Sequence, residues 1–311
     1  MSEGLFFELS LSGAGFFSCF ARNVCFRTMA DMCVISSVPD LLFLTSLVSC
    51  GFSSLVVSFF KSHSPVFINF REYFVLSICL YGLSFLESAF SAFSDNEIQS
   101  TMSFLSLLII FIYFVLVVNK PLQVVPVFLI AFGSLFVSGE IYFLSRYSLL
   151  LALFGAILQA YCRIRIFYHV SSKSMLPFQI FHQISISRAI ISSIIPAILS
   201  FTKKIPSFTK DYPSLGMIIM GSLFESINSL SLFYLSLERS PCQIQSIQCI
   251  IYSLLSIAGY TFSAPKFSNA YQIIIILIGT ISTLIGTIIM FNNRAESKPK
   301  DVEPLTVETI Q

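Results

Sequence analysis

Along the chain, apolar runs of about twenty residues alternate with short polar breaks. The runs lie near 5–27, 40–60, 71–93, 97–118, 122–139, 147–169, 178–201, 213–236, 241–263 and 271–292. Roughly 20 mainly apolar residues are needed to cross a bilayer as a helix, so each run predicts one membrane-spanning helix. The breaks carry charges and prolines: Lys61 to Pro65, Asn119 to Pro121, Lys173 to Pro177, Lys203 to Pro213 and Arg239 to Pro241. Proline disrupts helix interiors but fits the first turn, so these positions predict loop ends and helix starts. The polar tail, residues 293–311, predicts a disordered cytosolic segment.

The pattern repeats itself. Gly82-Leu-Ser-Phe-Leu-Glu87-Ser88 returns as Gly221-Ser-Leu-Phe-Glu225-Ser226, and Glu97-Ile-Gln-Ser100 returns as Gln243-Ile-Gln-Ser246. Gly133 returns as Gly279 with the spacing that relates Glu97 to Gln243, while the glutamates stand closer by one or two helical turns. A weaker echo sets Ala21-Arg22-Asn-Val-Cys-Phe26 against Cys162-Arg163-Ile-Arg-Ile-Phe167. The expected fold is an all-α membrane protein of ten transmembrane helices, with one five-helix half in residues 1–139 and another in 140–292. Five spans is an odd number, so the second half enters from the opposite side and the repeat is inverted. With both termini in the cytosol, ten Lys/Arg fall on cytosolic segments and seven opposite, counting Arg22 and Arg163 as segment charges on opposite sides; the balance leans toward that orientation.

Composition agrees with the pattern. Charged residues make up 11% of the 311 positions against about 25% in soluble domains, which excludes an ordinary water-soluble enzyme. A net charge of +2 gives no footing for nucleic acid. The eight cysteines are scattered through apolar runs without zinc spacing and read as small buried hydrophobes. No phosphate loop, HExxH or GxSxG is present, so the chain is expected to be no enzyme and to need no cofactor or metal. The first apolar run lacks a basic leader and is expected to insert uncleaved.

Glu87, Arg188 and Glu225 fall near the middle of predicted spans, where a charge costs at least about 2.5–3.5 kcal/mol unless it faces inward and finds a partner. Each lies on a polar stripe at helical spacing: Ser84, Glu87, Ser91 and Ser94; His182, Ser185, Arg188 and Ser192; Ser222, Glu225, Asn228 and Ser229. Three polar faces inside an apolar shell imply a hydrated central cavity. The plainer role is interhelical glue, with Arg188 neutralising Glu225. A second group sits at span ends: Arg239 and Lys266 flank a span carrying Gln243, Gln245 and Gln248, and Lys120 is the repeat mate of Lys266. For Lys120 the plainer role is snorkelling to the headgroups.

Ten spans in an inverted repeat resemble the drug/metabolite transporter superfamily over residues 5–292, most nearly its nucleotide-sugar and triose-phosphate branch. Phe181-His182-Gln183-Ile184 stands where nucleotide-sugar transporters of the GDP-mannose type have Phe-Tyr-Asn-Asn. Ser236-Leu237-Glu238-Arg239 stands where that type ends Gly-Ala-Leu-Asn-Lys, two residues before a proline. Neither motif is intact, and the base is left open. The resemblance implies that His182 and Gln183 contact sugar and base, and that Arg239 lies near the nucleotide. It further implies a Golgi or endoplasmic-reticulum antiporter of nucleotide-sugars or sugar-phosphates against nucleotide monophosphate or phosphate. Arg188, Arg239 and Lys266 suit such an anion, with Glu87, Glu225, Asn228 and Gln243 completing the expected site. The alternative is a proton-coupled carrier of neutral or cationic solutes, with Glu87 and Glu225 exchanging protons. The candidate partners are a small-molecule substrate, the lipid bilayer and a second copy of the chain.

Overall fold

Wherever the computed structural model describes a secondary-structure element, it is a helix. The described residues are 10, 11, 13–15, 17–22, 24, 25, 38–59, 70–92, 96–118, 124–137, 146–171, 176–201, 212–262 and 270–292. The described positions between 10 and 25 are helical and form α1. There follow α2 (Val38–Phe59), α3 (Phe70–Ala92), α4 (Asn96–Leu116), α5 (Val124–Val137), α6 (Arg146–Ser171), α7 (Pro177–Phe201), α8 (Tyr212–Glu238), α9 (Pro241–Phe262) and α10 (Ala270–Asn292). No strand occurs among the described residues.

Three of the prolines expected at helix starts are there: Pro177 and Pro241 open α7 and α9, and Pro213 is the second residue of α8. Pro241 is the first residue of α9, and the turn closes reciprocally around it: the Ser240 amide donates to Gln243 Oε1 at 3.1 Å, and the Gln243 amide to Ser240 Oγ at 3.4 Å. This capping box satisfies two amides that have no partner inside the helix. Pro177 opens α7 in the same manner, with the Leu176 amide donating to Gln179 Oε1 at 3.1 Å.

The packing mixes polar with apolar side chains inside and is apolar outside. Ile274, Leu277, Ile278, Ile281, Leu284, Ile285 and Ile288 form an exposed stripe at helical spacing along α10. Phe128, Phe132 and Leu135 do the same on α5. Ser53, Ser77, Ser103, Ser192, Gln243 and Gln245 are fully buried. A water-soluble protein rarely exposes apolar patches of this extent, whereas lipid covers them at no cost. Among the described residues, five helices are long and apolar enough to cross a membrane: Leu41–Phe59, Ile98–Leu116, Leu149–Ser171, Leu215–Leu237 and Ile274–Asn292. Shorter apolar stretches occupy Tyr73–Glu87 and Val124–Val137. The expectation of ten crossing helices is therefore met by five on length and apolarity. The helices α7 and α9 have 25 and 22 residues, but carry inward polar side chains such as Gln179 and Arg188, or Gln245 and Gln248.

Helix α5 packs against α10, α2 against α7 and α4 against α9, pairs that the expected repeat would match. The tightest approach joins Gly133 on α5 to Gly279 on α10. A Cβ built on Gly133 would strike the Gly279 carbonyl oxygen, and one on Gly279 would lie 2.6 Å from the Gly133 carbonyl and 2.8 Å from Phe136 Cβ. Close backbone crossings of this kind need residues without side chains. Gly279→Ala is expected to cost about 1–3 kcal/mol, because neither backbone can retreat. Gly216→Ala on α8 is the control: its Cβ would meet nothing within 4 Å, and alanine is the better helix former. Thermal unfolding in detergent, with Gly279→Ala melting no lower than Gly216→Ala, would contradict the packing argument.

Candidate functional site

Six helices converge on a cavity of about 70 Å³. Its polar wall has Arg22 from α1, Ser84 and Glu87 from α3, and Gln159 and Arg163 from α6. Ser185 and Arg188 come from α7, Glu225, Asn228 and Ser229 from α8, and Gln248 and Tyr252 from α9. At about 10–15 Å³ per enclosed water, the volume holds roughly five waters or one phosphate-sized group.

Two ion pairs stand in the wall. Arg188 Nη2 donates to Glu225 Oε1 at 3.1 Å and to Ser84 Oγ at 3.0 Å, joining α7 to α8 and α3. Both side chains of that pair are 9% exposed. Arg22 Nη1 donates to Glu87 Oε2 at 3.3 Å, joining α1 to α3. Gln99 Nε2 holds the backbone of the same turn, donating to the Glu87 carbonyl at 3.1 Å. Each carboxylate is thus neutralised locally, as charges at this depth require. Arg163 is the third guanidinium in the wall. It is half-buried and forms no ion pair with a carboxylate among the described residues. Three cations against two carboxylates leave one positive charge over.

A glutamine chain runs from α4 into the cavity. Gln245 Nε2 donates to the Ser103 carbonyl at 3.0 Å and to Gln159 Oε1 at 3.1 Å, and Gln159 Nε2 donates to Gln248 Oε1 at 3.1 Å. A glutamine offers both donors and an acceptor, so such a chain fixes the direction of each amide. It ties α4, α6 and α9 together behind Arg163.

Against one side of the cavity packs an apolar cluster, here called the plug. Tyr73 and Leu76 of α3, Cys162, Ile166 and Val170 of α6, Ile180, Phe181 and Ile184 of α7, and Phe233 of α8 pack as one cluster. Phe181 and Phe233 lie with ring centroids 5.9 Å apart. No other apolar cluster among the described residues joins these four helices.

Of the residues expected from sequence, Glu87, Arg188, Glu225 and Asn228 meet in this wall, and the anticipated pairing of Arg188 with Glu225 is present. Four others are placed elsewhere. His182 faces α2, its Nδ1 3.0 Å from Ser53 Oγ. Its neighbour Gln183 is half-buried on α7 and does not line the cavity. Gln243 caps α9, and its Nε2 donates to the Met290 carbonyl at 3.0 Å. Arg239 is buried over the Phe291 ring, 4.7 Å from its centroid, and Nη1 donates to the Phe291 carbonyl at 3.3 Å. Arg239 and Gln243 therefore satisfy the open carbonyls at the end of α10, where a cation also complements the helix dipole. Lys120 and Lys266 lie outside the described residues. Arg22, Arg163 and Gln159 were missed. For the two arginines the signal was the sequence echo that sets Arg22 against Arg163; Gln159 had none.

No protein-family model matches the chain, and no curated protein matches it. Among solved structures it is similar to one described only as "Crystal structure of protein". The TM-score is 0.64 at 13% identity, over 93% of this chain and 99% of that one. This likeness speaks to the fold alone.

Proposed function

We propose that the protein is a multi-pass secondary transporter that carries a phosphate-bearing metabolite, a nucleotide-sugar or sugar-phosphate, in exchange for nucleotide monophosphate or phosphate. The observation that carries this reading is the surplus guanidinium: Arg22, Arg163 and Arg188 face Glu87 and Glu225 in one cavity. Partly desolvated guanidinium groups bind phosphate strongly and in a forked geometry. The cavity of about 70 Å³ admits a phosphate but not a whole nucleotide-sugar, so cargo entry requires the wall to open.

Ten spans in an inverted five-plus-five repeat, as in the drug/metabolite transporters, account for the packing of corresponding helices on one another. They account equally for the meeting of the repeated glycines Gly133 and Gly279. In this reading the two halves rock about the central cavity, which opens to each side in turn. Both termini face the cytosol, and a Golgi or endoplasmic-reticulum membrane is the compartment in which such a carrier serves. Proton-coupled carriage of a neutral or cationic solute is the less favoured reading. The cavity favours an anion over a cation because its wall holds three guanidinium groups against two carboxylates.

Exchange in proteoliposomes tests the proposal. Vesicles preloaded with a nucleotide monophosphate or with phosphate are expected to take up labelled nucleotide-sugar or sugar-phosphate at equal internal and external pH. Uptake of no phosphorylated cargo, combined with pH-driven uptake of a neutral or cationic solute, would overturn it.

A further inference from the structure

Glu87 and Glu225 are repeat mates, yet they pair differently. Glu87 takes Arg22 from α1. The repeat mate of Arg22 is Arg163 on α6, so a symmetric protein would pair Glu225 with Arg163. Here Glu225 instead takes Arg188 from α7, and Arg163 stands in the same wall in no ion pair among the described residues, within electrostatic reach of Glu87. The two halves have like sequences and unlike arrangements. In an inverted repeat, opening to the other side exchanges the arrangements of the halves; α2 has no cation to match Arg188, so Glu87 keeps Arg22 and only the pairing of Glu225 can change.

We propose that Glu225 has two alternative arginine partners, Arg188 and Arg163, and exchanges the first for the second when the cavity opens to the other side. This rests on the transport reading above. The helices already touch: α6 packs on α8, and Glu225 and Arg163 line one cavity. With two carboxylates and three guanidinium groups, one cation is always left over. It is Arg163 in the state seen, and it becomes Arg188 after the exchange. An anion bound to the surplus charge is handed from α6 to α7 without any carboxylate losing its neutralisation for long. The cost of an unpaired buried charge is what makes the two pairings compete.

Cys162 reports the switch. It is 2% exposed, adjoins Arg163 and belongs to the apolar plug, so it becomes reachable from the plug side only when the plug parts. The experiment uses the full chain with the other seven cysteines replaced by serine, reconstituted without cargo. An impermeant maleimide is added from the plug side. Arg188→Ala leaves Glu225 to Arg163 and is expected to speed labelling, on the order of tenfold, within the usual range of coupling between states. Arg163→Ala removes the competing pair and is expected to slow it by a similar factor. Opposite signs are the signature, because two merely structural arginines would shift labelling the same way or not at all. Either of those outcomes overturns the proposal.

Arg163→Ala breaks no ion pair seen here and should fold. If Arg188→Ala does not, Glu225→Gln supplies the second arm. In that background Arg163→Ala should add nothing, and a further slowing would overturn the exchange. Because labelling needs no cargo, opposite shifts in a protein that carries no anion would remove only the transport reading. Uptake without opposite shifts would remove only the partner exchange.

Discussion

Arg188→Ala is expected to destabilise the protein by about 3–5 kcal/mol, as is Glu225→Ala, while the double substitution costs less than the two together. Each side chain of the pair is 9% exposed, so deleting one leaves the other's charge poorly hydrated, and Glu225 regains a partner only by drawing on Arg163. Deleting both removes that uncompensated charge and leaves a polar wall with space for water. The coupling read from the cycle should fall within about 0.5–3 kcal/mol, the range for residues in direct contact. The Arg188 variant also strands Ser84, whose hydroxyl accepts from the same Nη2 at 3.0 Å. The Arg22–Glu87 pair is longer, 3.3 Å against 3.1 Å, and its carboxylate is more exposed, 13% against 9%, so its single substitutions should cost less. The measurement is the unfolding midpoint in detergent of the wild type, both singles and the double. Strict additivity would mean that no energetic pair exists, whatever the distance.

How far this was legible from sequence depended on the kind of signal. Helix positions followed from apolar run length, because about twenty residues of uninterrupted hydrocarbon preference leaves few alternatives. The Arg188–Glu225 pair followed from two polar stripes on successive spans, each with one charge that had to be neutralised. Arg22 and Arg163 were misplaced because a charge near the end of an apolar run looks like a loop residue. Arg239 was expected near a nucleotide and Gln243 in the same site, and in the structure their polar atoms close the start of α9 and the end of α10. Backbone carbonyls are invisible in a sequence pattern, so their demand for partners could not be weighed. For His182 the competing partner was Ser53, one of several serines that bridge helices, as do Ser49 with Ser226 at 2.8 Å and Ser222 with Thr45 at 3.2 Å. Such bridges need the helix pairing to be known first.

The two arginines lead to the sharpest functional expectation. Arg239 was the first choice for a phosphate clamp, with Lys266 behind it, but its guanidinium lies over Phe291 and against the end of α10. Arg239→Ala should therefore lower stability, by about 0.5–2 kcal/mol for the lost ring contact and somewhat more for the carbonyl. Exchange per folded molecule should persist. Arg163 lines the cavity near Glu87 but forms no ion pair among the described residues, so a bound phosphate can take its charge. A hydrogen bond to a charged group contributes about 1.5–3 kcal/mol, which sets the loss for Arg163→Ala at roughly tenfold to a hundredfold in exchange rate at low cargo concentration. Arg163→Lys keeps the charge but not the fork and should fall between. Under proton coupling the order reverses: Glu87→Gln or Glu225→Gln would abolish the response to a pH gradient, and Arg163→Ala would change little. The deciding comparison is exchange of labelled sugar-phosphate or nucleotide-sugar in proteoliposomes at equal pH, normalised to folded protein. A protein that keeps full exchange without Arg163 but loses it without Arg239 would return the phosphate site to the end of α8.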